Sequence, residues 1–90
     1  MKGADTILWY LIAGTRGGPT RFLLLQLLCE GPLNANQLSE ASGLDYKTVA
    51  HHLEVMVKNS LVRACPGRGY GRLYSIDAHV RDVVSNLGKG

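Results

Sequence analysis

The stretch Asn34 to Lys58, NANQLSEASGLDYKTVAHHLEVMVK, constrains this chain most, because it reads as two helices joined by a very tight turn. Asn34 is a good cap for a short first helix, and Gln37, three residues on, is placed to reach back as its capping-box partner. Leu38 and Ala41 give that helix one apolar edge. Ser42-Gly43-Leu44 breaks it, with Gly43 free to adopt the left-handed conformation that ends helices. Asp45 is placed to cap a second helix running to about Lys58. This pattern is a helix-turn-helix.

The second helix has two different faces. Val49, Leu53 and Met56, flanked by His52 and Val57, recur at helical spacing and predict a buried side. Lys47, Ala50, His51, Glu54 and Lys58 fall on the other, with Tyr46 at its exposed start. A B-DNA major groove admits one α-helix, and residues near the helix N-terminus reach base edges first. Tyr46, Lys47, Ala50 and His51 are therefore the candidate base readers, with Thr48, Glu54 and Lys58 completing the helix's share of the site.

The flanking chain supports a small domain around this unit. Ile7 to Ala13 is apolar on nearly every side, and within the segment 5–14 periodicity alone does not separate helix from buried strand; alanine, leucine and the stop at Gly14 favour helix. Pro19 suits the first turn of a helix extending to about Glu30, and Phe22, Leu23, Leu24, Leu25, Leu27 and Leu28 wrap more than one face of it, as in a central core helix. Gly31-Pro32 ends it. After Lys58, Leu61 to Cys65 has strand composition and is answered by Arg72 to Ile76. The connection Pro66-Gly67-Arg68-Gly69-Tyr70-Gly71 is a glycine-rich hairpin tip carrying a cation and an aromatic ring. A recognition helix followed by such a hairpin, here over residues 61–76, is a winged helix; Arg63, Arg68, Tyr70 and Arg72 are its candidate contacts to phosphate or the minor groove. Asp77 can cap a last helix striped by Val80, Val83, Val84 and Leu87. The expected fold is mainly α with a small β-hairpin, a single winged helix-turn-helix domain over residues 1–90.

Charge points to the same partner. The chain's net charge is +3. From Asp45 to Ile76 five basic residues, Lys47, Lys58, Arg63, Arg68 and Arg72, face only Asp45 and Glu54, and a localised basic surface implies a polyanion. Ninety residues leave no room for a cleft between two lobes. No nucleophile, base and orienting group stand at useful spacing, and Gly67 to Gly71 lacks the strand-to-helix setting of a phosphate loop, so an enzyme is not expected. Cys29 and Cys65 lie in no ligand or disulfide framework, which fits a reducing cytoplasm. The longest apolar run is too short to span a bilayer, and its resemblance to a signal-peptide core lacks a cleavage site.

The phrase LDYKTVAHHLEVMVKNSLV, Leu44 to Val62, resembles the recognition helix and first wing strand of the ArsR (arsenic-repressor-like) winged-helix transcription regulators, especially small archaeal members. A lysine- or hydroxyl-bearing helix start, then V-x-x-H-L and N-x-L-V, carries the resemblance. It implies a transcriptional regulator binding double-stranded DNA as a homodimer at a partly palindromic site. The chain departs from metal-sensing members: Gly43 to Thr48 contains no cysteine, His79 is poorly spaced from Asp77 and Asp82, and the adjacent His51 and His52 diverge on a helix. No metal or other cofactor is expected, and the sequence identifies no small-molecule effector. The apolar surplus of segments 5–14 and 77–87 predicts a dimer interface of Ile7, Trp9, Tyr10, Leu11, Val80, Val83, Val84 and Leu87, the competing reading being that the N-terminal segment folds back over Leu24 and Leu28 within one chain. The competing function is a winged-helix module making protein contacts in a transcription or replication assembly.

Overall fold

The computed structural model describes residues 3–67 and 71–88, with side chains from Thr6 onward. Arg68 and Tyr70 lie outside the described residues. The elements run α1 (Gly3–Ala13), α2 (Gly18–Leu28), β1 (Leu33–Asn34), α3 (Ala35–Ser42), α4 (Tyr46–Lys58), β2 (Val62–Ala64), β3 (Leu73–Ile76) and α5 (Ala78–Gly88). The ambiguous N-terminal segment is a helix. The architecture is that of a winged helix-turn-helix, five helices with a small antiparallel sheet.

Local chemistry accounts for most boundaries. Asn34 Oδ1 accepts from the Gln37 amide at 2.7 Å, and Gln37 Oε1 accepts from the Asn34 amide at 2.9 Å, closing the capping box at the start of α3. Gly43 ends α3 with φ +76°, in the left-handed region. At the start of α5, Asp77 Oδ2 accepts from the amides of His79 and Val80. Asp45 behaves differently from the expectation. It occupies the N-cap position of α4, but its side chain caps no amide; its backbone carbonyl accepts from Val49 instead.

The exit from α4 is tighter than its sequence suggests. Ser60 takes a left-handed φ of 63°, its amide reaches the Val57 carbonyl, and the Leu61 amide reaches back to Met56 at 2.9 Å. This double closure satisfies the Met56 and Val57 carbonyls and turns the chain straight into β2. The Asn59 side chain covers a further carbonyl, that of Val55.

The sheet is larger than the expected hairpin. Its order is β1-β3-β2, with Leu33 opposite Tyr74 and Asn34 opposite Leu73, while Val62 pairs with Ile76 and Ala64 with Tyr74. The short strand β1 thus pins the start of the helix-turn-helix to the wing. Helix α2 ends at Leu28, two residues before the expected Glu30. It packs on α1, α3, α5 and β3, the central position its leucines predict. Leu8, Leu24, Leu25, Leu28, Leu38, Val49, Leu53, Met56 and Val84 form the fully enclosed centre of the core. On α3 it is Ala35 and Leu38 that are buried, while Ala41 is exposed.

Two expectations about apolar surface change. Leu11, Val80 and Val84, expected at a dimer interface, are buried within the chain's own core. Val57, expected to flank the buried face of α4, is exposed, and Val55 packs against the core.

Candidate nucleic-acid interface

Burial of Val49, Leu53 and Met56 against the core orients α4 so that its opposite face meets solvent. Tyr46, Lys47, His51, Glu54 and Lys58 are exposed on it, and Thr48 and Ala50 are half-buried. Tyr46 and Lys47 open the helix, so their side chains stand at the end that carries the positive pole of its dipole. Ala50, Glu54, Val57 and Lys58 line a shallow groove whose far wall is formed by Ala64 and Tyr74 of the sheet and by Arg72, which immediately precedes β3. The fold therefore brings the outer face of α4 together with Arg72. Arg63 is exposed elsewhere, in a second hollow with Ser60, Ser75 and Asp77. The Arg72 guanidinium donates twice to the Gly67 carbonyl, at 2.9 and 3.3 Å, and so ties the two limbs of the wing together while remaining exposed.

Behind this face is a polar cluster that the leucine-rich pattern of α2 conceals. Arg21 is only 6% exposed. Its Nε donates to the Leu11 carbonyl at 2.8 Å, its Nη2 donates to the Thr15 hydroxyl, and its Nη1 lies 3.2 Å from His52 Nδ1. Because a guanidinium only donates, Nδ1 is the acceptor and the neutral ring carries its proton on Nε2. Burial, the Arg21 charge and then His51 hold the His52 imidazole below its ordinary range. The rings of His51 and His52 meet edge to face, 5.6 Å apart. His52 is thus a packing histidine bonded to the core, while its neighbour faces outward.

The lowered pKa of His52 has a consequence for stability. In the unfolded chain the ring takes up a proton near pH 6.5, and in the folded chain only at lower pH. Stability associated with neutral His52 is therefore present above about pH 6.5 and is lost as pH falls through the folded pKa. Urea unfolding between pH 7.5 and 4.5 should show wild type losing stability more steeply below about pH 6.5 than His52→Gln, which has no proton to gain. Parallel curves would contradict the assignment.

Among the described residues no group of three or more His, Cys, Asp or Glu side chains is placed to hold a metal ion. Both cysteines are free. No helix of the described residues is long and apolar enough to cross a membrane.

Comparison with known proteins assigns the arrangement. The sequence model described as "Bacterial regulatory protein, arsR family" matches residues 18–64, from α2 through β2 and just over half of the chain. An uncharacterized HTH-type transcriptional regulator of Methanocaldococcus jannaschii is 28% identical over 69 residues, 76% of this chain and 78% of the relative. A predicted DNA-binding transcriptional regulator from E. coli superposes with a TM-score of 0.73 at 28% identity, over 96% of this chain and 90% of that one. The homodimeric winged helix-turn-helix DNA-binding domain of a possible ArsR-family regulator from Mycobacterium bovis superposes with a TM-score of 0.72 at 20% identity, over 98% of this chain and 82% of that one. The chain belongs to the arsR family of bacterial regulatory proteins and is a DNA-binding regulator of transcription.

Proposed function

We propose that this regulator binds a specific duplex sequence as a homodimer, laying α4 of each protomer in the major groove and its wing on the adjoining backbone. The observation that carries the reading is the outer face of α4: exposed Lys47 and His51 in its N-terminal half, continuous with a groove walled by Arg72. Tyr46, Lys47, Ala50 and His51 read base edges in this account, with Thr48, Glu54 and Lys58 beside them. Arg63, Arg68, Tyr70 and Arg72 meet phosphate or the minor groove. Two of the Arg72 N–H donors are committed to Gly67, which leaves others for a phosphate. The wing therefore adds affinity and Lys47 and His51 add discrimination. Two free thiols suit action in the reducing cytoplasm.

The dimer uses what the fold leaves uncovered at its two ends. Ile7, Trp9 and Tyr10 on α1 and Leu87 on α5 are exposed, Tyr10 by 62%, and Val83 is half-buried. The M. bovis domain is itself homodimeric. Self-association about a two-fold axis would cover these residues. Light scattering from tens of micromolar downward tests it: wild type is expected to be a dimer, and Trp9→Ala combined with Tyr10→Ser a folded monomer with weakened binding. A wild type that is monomeric throughout would sink the dimer.

The wing has its own signature. Arg72→Ala should weaken binding to every duplex alike and lower the salt slope of log K by roughly one unit for each phosphate that Arg72 neutralises. An unchanged slope would place the wing off the DNA.

A further inference from the structure

The Arg21 cluster joins three elements at one guanidinium. Through Nε and Nη2 it holds the Leu11 carbonyl and the Thr15 hydroxyl, at the C-terminal end of α1, and through Nη1 it holds His52 in the middle of α4. The Leu11 carbonyl is one of the last four of α1, which have no partner within a helix and carry its negative pole. A cation there is well placed electrostatically. All three acceptors are neutral, however, and burying a charge against neutral partners is a poor way to gain stability compared with an apolar side chain of similar size. What directional bonds add is geometry.

The chain is built closely around this joint. A Cβ on Gly17 would stand 2.7 Å from Arg21 Nη1 and 2.9 Å from His52 Cε1. A Cβ on Gly18 would collide with the Ile12 carbonyl. Gly17 thus lies directly against the guanidinium and the His52 ring, so a side chain there would displace the ends of both, while Gly18 lets the start of α2 approach the backbone at the end of α1.

The apolar side chains that α4 packs against the core, Val49, Leu53 and Met56 with the half-buried Val55, make non-directional contacts. They resist withdrawal of the helix better than a small rotation about its axis. The Arg21–His52 bond resists rotation, and His52 is next in sequence to His51, with the two rings in contact. Any turn of His52 is a turn of His51 and of Lys47, one helical turn away on the same face.

We propose that Arg21 and His52 are positioning residues for DNA recognition: the joint they form between α1 and α4 fixes the azimuth of the recognition helix, and so its sequence preference, without touching DNA. The inference rests on α4 being the base-reading helix, as set out above. The role differs from that of Lys47, whose substitution would remove a base contact directly, and from that of Arg72, whose removal would be felt on all sequences.

The test uses the full chain, a consensus duplex recovered by selecting bound DNA from a random pool with wild-type protein, and a scrambled duplex of the same length. His52→Leu should keep its circular dichroism and mass, lose affinity for the consensus by roughly 2- to 30-fold, and bind the scrambled duplex as wild type does. His52→Gln, whose side-chain oxygen can accept from Arg21, should recover most of the consensus affinity. Arg21→Lys keeps the cation but not the planar fork, and should follow His52→Leu; it decides the matter with the same readouts if His52→Leu does not fold. Consensus and scrambled affinities falling together, a specificity ratio unchanged in His52→Leu, or no recovery in His52→Gln would each overturn the proposal. Failure of wild type to select any consensus would instead remove the base-reading role of α4 on which it stands.

Discussion

Leu53→Ala is expected to cost about 2–5 kcal/mol of folding stability, the range for emptying a fully enclosed leucine site. Leu53 is 1% exposed and sits between Val49 and Met56 on the inner face of α4, where Leu38 of α3 and the leucines of α2 complete the core. Truncation leaves a cavity under the recognition helix that the fixed α3–α4 turn prevents it from filling. That turn is held by Gly43 and by hydrogen bonds from the Ser39 hydroxyl to the Leu44 carbonyl and from the Leu44 amide to the Ser42 hydroxyl. Urea unfolding at neutral pH measures the loss as a lower midpoint at unchanged slope. A cost below about 1 kcal/mol would mean that α4 is not seated on the core as described.

Lys47→Ala and His51→Ala should do the opposite, leaving the urea midpoint nearly unmoved while costing about 1–3 kcal/mol per half-site on the preferred duplex. Both side chains are exposed, so their removal opens no cavity. In a dimer each substitution acts twice, and the loss on a symmetric site is correspondingly larger. Preference should relax at one or two base pairs in each half-site. Titration against the preferred and a scrambled duplex provides the measurement; equal losses on both would reduce these residues to phosphate contacts.

The features legible in the sequence were those whose cause is local. The Asn34 capping box, Gly43 and the Asp77 cap each depend on residues within a few positions of one another, and the helical stripe Val49, Leu53 and Met56 announces a buried face wherever that face is placed. The features that escaped depend on distant partners. Strand β1 is only two residues long, and it is a strand because Tyr74 and Leu73 lie beside it, some forty positions away. Arg21 stands just ahead of a run of leucines as any solvent-facing cation might, and its burial follows from Leu11 and Thr15 on one side and the distant His52 on the other converging on it. Asp45 shows the limit of a local rule: a capping residue in the capping position, with its side chain uncommitted to the helix amides.

The apolar termini show a further limit. Periodicity identifies a hydrophobic face without saying whether the same chain or a second copy covers it. Helices α1 and α5 divide their stripes, so that Leu8, Leu11, Val80 and Val84 complete the core. Ile7, Trp9, Tyr10 and Leu87 remain exposed. At the end of α4 the sequence marks the stop at Asn59-Ser60 but not its Schellman geometry, because serine adopts the left-handed φ there, where a glycine would have announced it.

Selection of bound duplexes from a random pool asks whether α4 reads sequence while presuming neither a site nor a symmetry. One enriched consensus forming an inverted repeat is expected, with half-site centres about one DNA turn, roughly 34 Å, apart as two recognition helices in a two-fold dimer require. A pool that retains its randomness after repeated rounds while still binding in a salt-dependent way would contradict sequence reading by α4, and enrichment of a single asymmetric element would contradict the dimer.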